Sequence, residues 1–167
     1  MEYRPLGKTG YRASRLGLGT MRLPTTSIGG HNYIDFDRAI EVLHAAFRLG
    51  INYMDCGLFY VNDQADIALG RALRSWPAAD DIIIVNKATR FRMEKPGDLR
   101  RMLEHQLQRM ERDWFHFYLF HGIGWENYHE LDKKTGWIGD MERAMSEGLV
   151  RHTGFSFHDE PARMIDL

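Results

Sequence analysis

Four residues, Asp55, Tyr60, Lys87 and His121, are of types that move or steer a proton, and three of them close apolar runs. Asp55 ends Ile51-Asn52-Tyr53-Met54. A carboxylate there is costly if buried alone, so it either caps the next loop or forms half of an ion pair. Lys87 follows Ile82-Ile83-Ile84-Val85-Asn86 and either reaches solvent or supplies the other half. Paired with Asp55, its ammonium is fixed and its field falls on a third group. Tyr60 is the candidate for that group. A phenol ordinarily titrates near ~10, and a neighbouring ammonium favours the phenolate, which makes a tyrosine a usable general acid. Alone, Tyr60 reads equally as a packing aromatic beside Tyr53 and Phe59. His121 follows Phe117-Tyr118-Leu119-Phe120. Singly it is a core or rim histidine; with the other three it could hydrogen-bond a substrate carbonyl and orient it.

The elements that must position these residues follow from the spacing. Polar residues close five strand-like runs at Thr20, Asp55, Lys87, His121 and Ser156, at intervals of 35, 32, 34 and 35 residues. The predicted strands are 16–20, 51–55, 82–87, 117–121 and 151–156, the β-branched run at 82–85 being of the kind covered on both faces. Between them, helical periodicity spans 37–49, 65–73, 98–110 and 137–147, with Gly50 and Gly148 as stops and Asp98 as an N-cap. Alternating strands and helices mean an α/β fold with a parallel sheet. Near-equal intervals favour a (β/α)8 barrel, with polar strand ends at one mouth, over a doubly wound sheet divided by a switch point. Ahead of the first strand, Gly7-Lys8-Thr9-Gly10 predicts a small N-terminal β-hairpin over the barrel floor.

A closed barrel takes ~250 residues, and the 167 here supply about five β/α units. The expectation is a single partial barrel domain over 1–167, with a helix that starts at Asp159-Glu160-Pro161 and is cut off after Leu167. Its first and last strands would be open edges prone to self-association unless another chain covers them.

Composition sets bounds on function. Hydrophobic residues are 44% and charged residues 27%, as in a globular protein, and the net charge of −1 gives no field for nucleic acid or an anionic membrane. No apolar run approaches the ~20 residues that span a bilayer, and the N-terminus has no secretory pattern. One cysteine, Cys56, excludes an internal disulfide and any CxxC site. A reducing, cytoplasmic setting is the expectation. His105, His116 and His129 have no metal-ligand spacing, so no metal site is expected. Gly17-Leu18-Gly19-Thr20 allows close backbone approach but is not a GxGxxG fingerprint.

Six segments carry a family resemblance. They are Arg-Leu-Gly-Leu-Gly-Thr-Met at 15–21, Gly-Ile-Asn-Tyr-Met-Asp at 50–55 followed by Tyr60, and Ala-Asp-Ile-Ala-Leu-Gly-Arg-Ala-Leu at 65–73. Next come Val85-Asn86-Lys87, the run 107–113 leading into Phe-Tyr-Leu-Phe-His at 117–121, and Gly-Leu-Val-Arg-His-Thr-Gly-Phe-Ser at 148–156. In that order they resemble the aldo-keto reductases, which reduce carbonyls with NAD(P)H on a (β/α)8 barrel.

The resemblance implies that Asp55, Tyr60, Lys87 and His121 are the catalytic set. Tyrosine would protonate the carbonyl oxygen, lysine held by aspartate would tune it, and histidine would orient the substrate. It further implies NADP(H) or NAD(H) as cofactor, with Gly19, Thr20, Met21 and Asp55 near the nicotinamide riboside and Ser156 on the carboxamide. The substrate would be a small aldehyde, ketone or quinone.

There are departures. Cys56-Gly57 replaces a common Thr-Ala, Ala65-Asp66 replaces Ser-Glu, and Phe157 replaces an asparagine. Gly-Phe-Ser-Phe-His at 154–158 is similar to a bacterial subgroup whose longer members carry a C-terminal iron–sulfur segment, for which one cysteine is too few. Two other readings stand beside the reductase. One is a truncated non-catalytic remnant or redox-sensing subunit; the other is a Schiff-base lyase using Lys87.

Overall fold

Gly7 and Gly10, at φ of 56° and 85°, turn the chain between β1 (Tyr3–Pro5) and β2 (Arg12–Ser14), which pair antiparallel as the Gly-Lys-Thr-Gly signal predicts. The computed structural model describes residues 1–165. This hairpin is pinned to the start of the next parallel strands. Ser14 N–H donates to Asn52 Oδ1 at 2.7 Å, Asn52 N–H donates to Ser14 Oγ at 3.0 Å, and Tyr3 Oη donates to the Gly50 carbonyl at 2.9 Å.

β3 is only Leu18–Gly19, shorter than the predicted 16–20. At Gly17 a Cβ would sit 2.9 Å from the Tyr53 ring, and after Gly19 the chain bends into a 3-10 turn, Thr20–Arg22. A second hairpin follows that the strand reading passed over, β4 (Thr25–Ile28) and β5 (His31–Ile34), joined by Gly29 and Gly30 at φ of 59° and 81°. Two left-handed residues in a two-residue loop are what a hairpin turn requires.

α1 (Phe36–Arg48) is capped by Asp35, whose side chain accepts from Arg38 N–H, and ends before Gly50 at φ 81° as predicted. Then come β6 (Tyr53–Asp55), α2 (Ala65–Arg74), β7 (Ile83–Thr89) and α3 (Asp98–Met110). Asp98 is not the N-cap of α3: Gly97, at φ 84°, takes that place, and the Asp98 carboxylate faces backward to accept from Glu94 and Lys95 N–H.

β8 (Phe115–Ile123) is followed by two helices where one was predicted. α4 (Trp125–Thr135) precedes α5 (Trp137–Ser146), and Gly136 at φ 62° lies between them. β9 (Val150–Phe157) and the short α6 (Pro161–Met164) complete the described elements. α6 starts at the predicted proline, though Glu160 rather than Asp159 precedes it; the predicted helix end at 166–167 lies outside the described residues.

The parallel sheet runs β3-β6-β7-β8-β9, each strand beside its predecessor with no switch point. This is the α/β, TIM-barrel-type arrangement of about five β/α units. Its helix-facing side buries Met54, Ile84, Ala88, Tyr118 and Phe120, the last stacked 4.2 Å from Trp137 of α5. The opposite parity brings Lys87 and His121 to the barrel mouth, where both line one cleft.

Candidate active site

Register decides which strand ends meet. Gly19 pairs with Asp55, Asp55 with Val85, and Thr89 with His121, so the five predicted polar ends lie on one rim. Lys87 leaves β7 two residues past the Asp55 partner, and its side chain, 5% exposed, turns back across β6. Its Nζ forms an ion pair with Asp55 Oδ1, donates to the Cys56 carbonyl at 2.7 Å and reaches Tyr60 Oη at 3.4 Å. The buried ammonium is thus fully hydrogen-bonded, the condition under which a buried charge is tolerated.

The Tyr60 ring stands edge-on to His121, centroids 5.9 Å apart at 90°. It also lies against Gly57, where a Cβ would be 3.1 Å from the Tyr60 Cζ. A Cβ there would press the ring back by a few tenths of an ångström, so the glycine lets the phenol lie this close.

His121 is half-buried, and burial together with the Lys87 and His158 charges holds its imidazole below the usual histidine range, against a weaker pull from Asp55. The shift favours the neutral imidazole. Its Nδ1 is buried with no partner among the described residues, so no protein hydrogen bond fixes the tautomer.

These side chains open onto a cleft of about 860 Å³, lined also by Met21, Arg22, Asn32, Ser156 and His158. Tyr60, Lys87, His121, Met21 and Ser156 therefore face one cavity. Thr20 does not: it is fully buried, and its Oγ1 donates to the Asp55 carbonyl at 3.1 Å, stitching β3 to β6. Gly19 is exposed, and a Cβ there would meet nothing within 4 Å. Ser156 Oγ accepts from Gly122 N–H at 2.9 Å, which leaves its own proton free to donate.

The β4–β5 hairpin, absent from the sequence reading, contributes Thr25 and Asn32 to the cleft wall. The paired glycines at 29–30 were the signal that could have found it. Among the described residues no group of three His, Cys, Asp or Glu is placed to hold a metal ion, and no helix is long and apolar enough to cross a membrane.

A parallel β/α barrel segment with an Asp–Lys–Tyr cluster and a histidine at the C-terminal strand ends defines a recognisable class of protein. Residues 15–167 match the sequence model of the Aldo/keto reductase family, and the chain belongs to that family. Over 163 residues it is 30% identical to aldo-keto reductase YhdN of Bacillus subtilis (strain 168), across 93% of this chain and 47% of the relative. The holo form of aldo-keto reductase AKR11C1 from Bacillus halodurans superposes with a TM-score of 0.76 at 25% identity, across 94% of this chain and 50% of that one. An aldo-keto reductase from Klebsiella pneumoniae, solved in complex with NADP and acetate, shares the fold with a TM-score of 0.72 at 23% identity over 93% and 50% of the two chains. The chain spans about half the length of the relatives it matches.

Proposed function

We propose that this chain carries the acid–base half of an NAD(P)H-dependent reductase of small aldehydes, ketones or quinones. The observation that carries the reading is the Lys87 ammonium, shared between Asp55, the Cys56 carbonyl and Tyr60 Oη beside a neutral His121.

Bound reduced nicotinamide supplies the hydride taken up by the carbonyl carbon. Tyr60 gives its hydroxyl proton to the carbonyl oxygen, so that oxygen leaves as an alcohol and Tyr60 is left as phenolate. The ammonium of Lys87, 3.4 Å away, stabilises that phenolate until solvent returns the proton. Asp55 keeps the ammonium in place, and His121, uncharged, can hydrogen-bond the carbonyl oxygen without adding a like charge beside Lys87.

The strand ends suit a nicotinamide riboside. Gly19 leaves open space, Met21 is 57% exposed, and the free Ser156 hydroxyl proton can meet a carboxamide oxygen. Thr20 would contribute through its backbone, since its side chain is committed to β6.

Two measurements test the reading. NAD(P)H oxidation with a small aldehyde is expected to fall by about 10²–10⁴-fold in Tyr60→Phe, while cofactor binding, followed by quenching of tryptophan fluorescence, stays as in the parent. Equal turnover in the variant removes Tyr60 from the acid role. The lyase alternative is disfavoured by the same geometry: all three Nζ hydrogens of Lys87 face acceptors, leaving no free amine to attack a carbonyl. Borohydride trapping of a carbonyl on Lys87 would restore it.

A further inference from the structure

The loop that carries Tyr60 is held in an unfavourable conformation. Phe59, Val61, Asn62 and Asp63 lie at φ of 81°, 49°, 52° and 59°, and none is glycine. Non-glycine residues, β-branched ones above all, are strained in the left-handed region, and such backbone persists only where its surroundings over-determine it.

The ties that hold it are specific. Asp63 Oδ1 accepts from Phe59 N–H at 2.8 Å, closing the loop around Tyr60, while Asp63 Oδ2 accepts from Arg92 Nη2 at 2.7 Å. Arg92 stands in the 3-10 turn (Arg90–Arg92) directly after β7, the strand that bears Lys87. Its guanidinium also lies 4.6 Å from the centre of the Phe59 ring. Partial burial works against the Asp63 charge, yet the hydrogen bonds from Arg92 and Phe59 outweigh it and hold the carboxyl below the usual range.

Other ties come from the opposite side. Asn62 Nδ2 donates to the Asn32 carbonyl at 2.9 Å, and Ile34 N–H donates to Gln64 Oε1 at 2.8 Å, both on the β4–β5 hairpin. The hairpin sets the loop's outer side; the Asp63–Arg92 pair couples it to the Lys87 strand. The contact it protects has little tolerance, because Tyr60 Oη at 3.4 Å from Lys87 Nζ is at the outer limit of a hydrogen bond.

Resting on the role assigned above to Tyr60, we propose that Asp63 and Arg92 are positioning residues whose ion pair holds the strained loop so that the Tyr60 hydroxyl stays at the Lys87 ammonium. Neither residue lines the cleft. They therefore act on turnover through the loop, of which Phe59, Tyr60 and Val61 line the cleft and Tyr60 alone reaches the Lys87 ammonium.

The test uses the 167-residue chain with Asp63→Asn, Arg92→Gln, the two combined, and Arg92→Lys. In carbonyl reduction each single variant lowers kcat about tenfold or more, a larger factor than any change in KM for the carbonyl, since a displacement near 1 Å at a reacting group costs that much. The combined variant is no slower than either single, because both break one link, and Arg92→Lys recovers part of the rate. Losses confined to KM, or that multiply in the combined variant, overturn the inference.

A second readout does not depend on turnover. The ¹³Cζ resonance of Tyr60, assigned by its loss in Tyr60→Phe, is expected to move in both single variants while those of Tyr11 and Tyr118 stay in place. An unmoved Tyr60 resonance overturns the inference whatever the rates. A parent chain that reduces no carbonyl, yet whose Tyr60 signal moves in both variants, removes the reductase reading and leaves the positioning role standing.

Discussion

Cys56 lies between Asp55 and Gly57 in the heart of the cluster, and its two polar groups have different roles. The carbonyl accepts from Lys87 Nζ; the side chain is fully buried, and burial pushes its thiol up to about 12. A protonated, inaccessible thiol is neither a nucleophile nor a redox handle. Alkylation at pH 8 is therefore expected to proceed only as fast as the chain opens, slowly in buffer and at once in denaturant. Labelling of the folded chain at the rate of a free thiol would contradict this burial. The position matters for the neighbour rather than for itself: a small, uncharged side chain beneath the rim lets the backbone carbonyl reach the ammonium.

Helices α2 and α3 meet at a contact only glycine permits. A Cβ on Gly70 would lie 2.7 Å from Met110 Cα and 2.9 Å from its carbonyl oxygen, backbone atoms that cannot swing aside. This close approach places Arg109 of α3 against Asp66, in the first turn of α2, in a two-pronged pair, each contact 2.8 Å. Gly70→Ala is expected to cost about 1–3 kcal/mol through forced helix separation, read as a lower denaturant midpoint with unchanged slope; an unchanged midpoint would mean the helices part freely. Contacts like this one mark where sequence reading stops. β7 was legible because its β-branched run is local, and α1 and α5 because Gly50 and Gly148 punctuate a 3.6-residue period. Asp55, Lys87 and His121 were legible because strand ends recur at a near-constant interval, whereas Tyr60, in the loop after β6, owes nothing to that interval. α4 was not, since its sequence Trp-Glu-Asn-Tyr-His-Glu-Leu-Asp-Lys-Lys-Thr buries only Thr135 fully and shows little apolar periodicity. The β4 strand buries nothing, so no alternation betrays it. Asp98 suits a cap by type, but the same carboxylate serves equally well the turn before the helix. Asp63 and Arg92 are 29 residues apart on different elements, and nothing in their local sequence links them.

Across the whole molecule the two ends of the sheet divide the work, the candidate chemistry lying at the C-terminal mouth and a titratable structural cluster at the N-terminal floor, as is general for barrels of this type. At the floor the β1–β2 hairpin lays Tyr11 edge-on to His116 at 5.0 Å and His152 at 5.7 Å, while Trp114 covers His116 at 4.5 Å. His116 Nδ1 accepts from Ile84 N–H at 3.2 Å, so this nitrogen must keep its lone pair, and the imidazole joins β8 to β7 only when neutral. Burial, with the charges of Arg112, Arg151 and His152, pulls its pKa down to about 4. The unfolded chain, in which histidine titrates near ~6.5, takes up a proton there that the native chain refuses until about pH 4. The native pKa is the depressed one, so the neutral form's contribution is present in full above pH ~6.5 and is lost as pH falls toward about 4. The shift corresponds to a loss on the order of 3 kcal/mol over that window. Carboxylates protonate in part of the same range, so the informative quantity is a difference. Stability of the parent minus that of His116→Gln, from urea unfolding, is expected to shrink by this order between pH 7 and pH 4. A difference that stays constant with pH would show that His116 takes up its proton in the native floor at the same pH as in the unfolded chain, so that burial there does not hold it neutral.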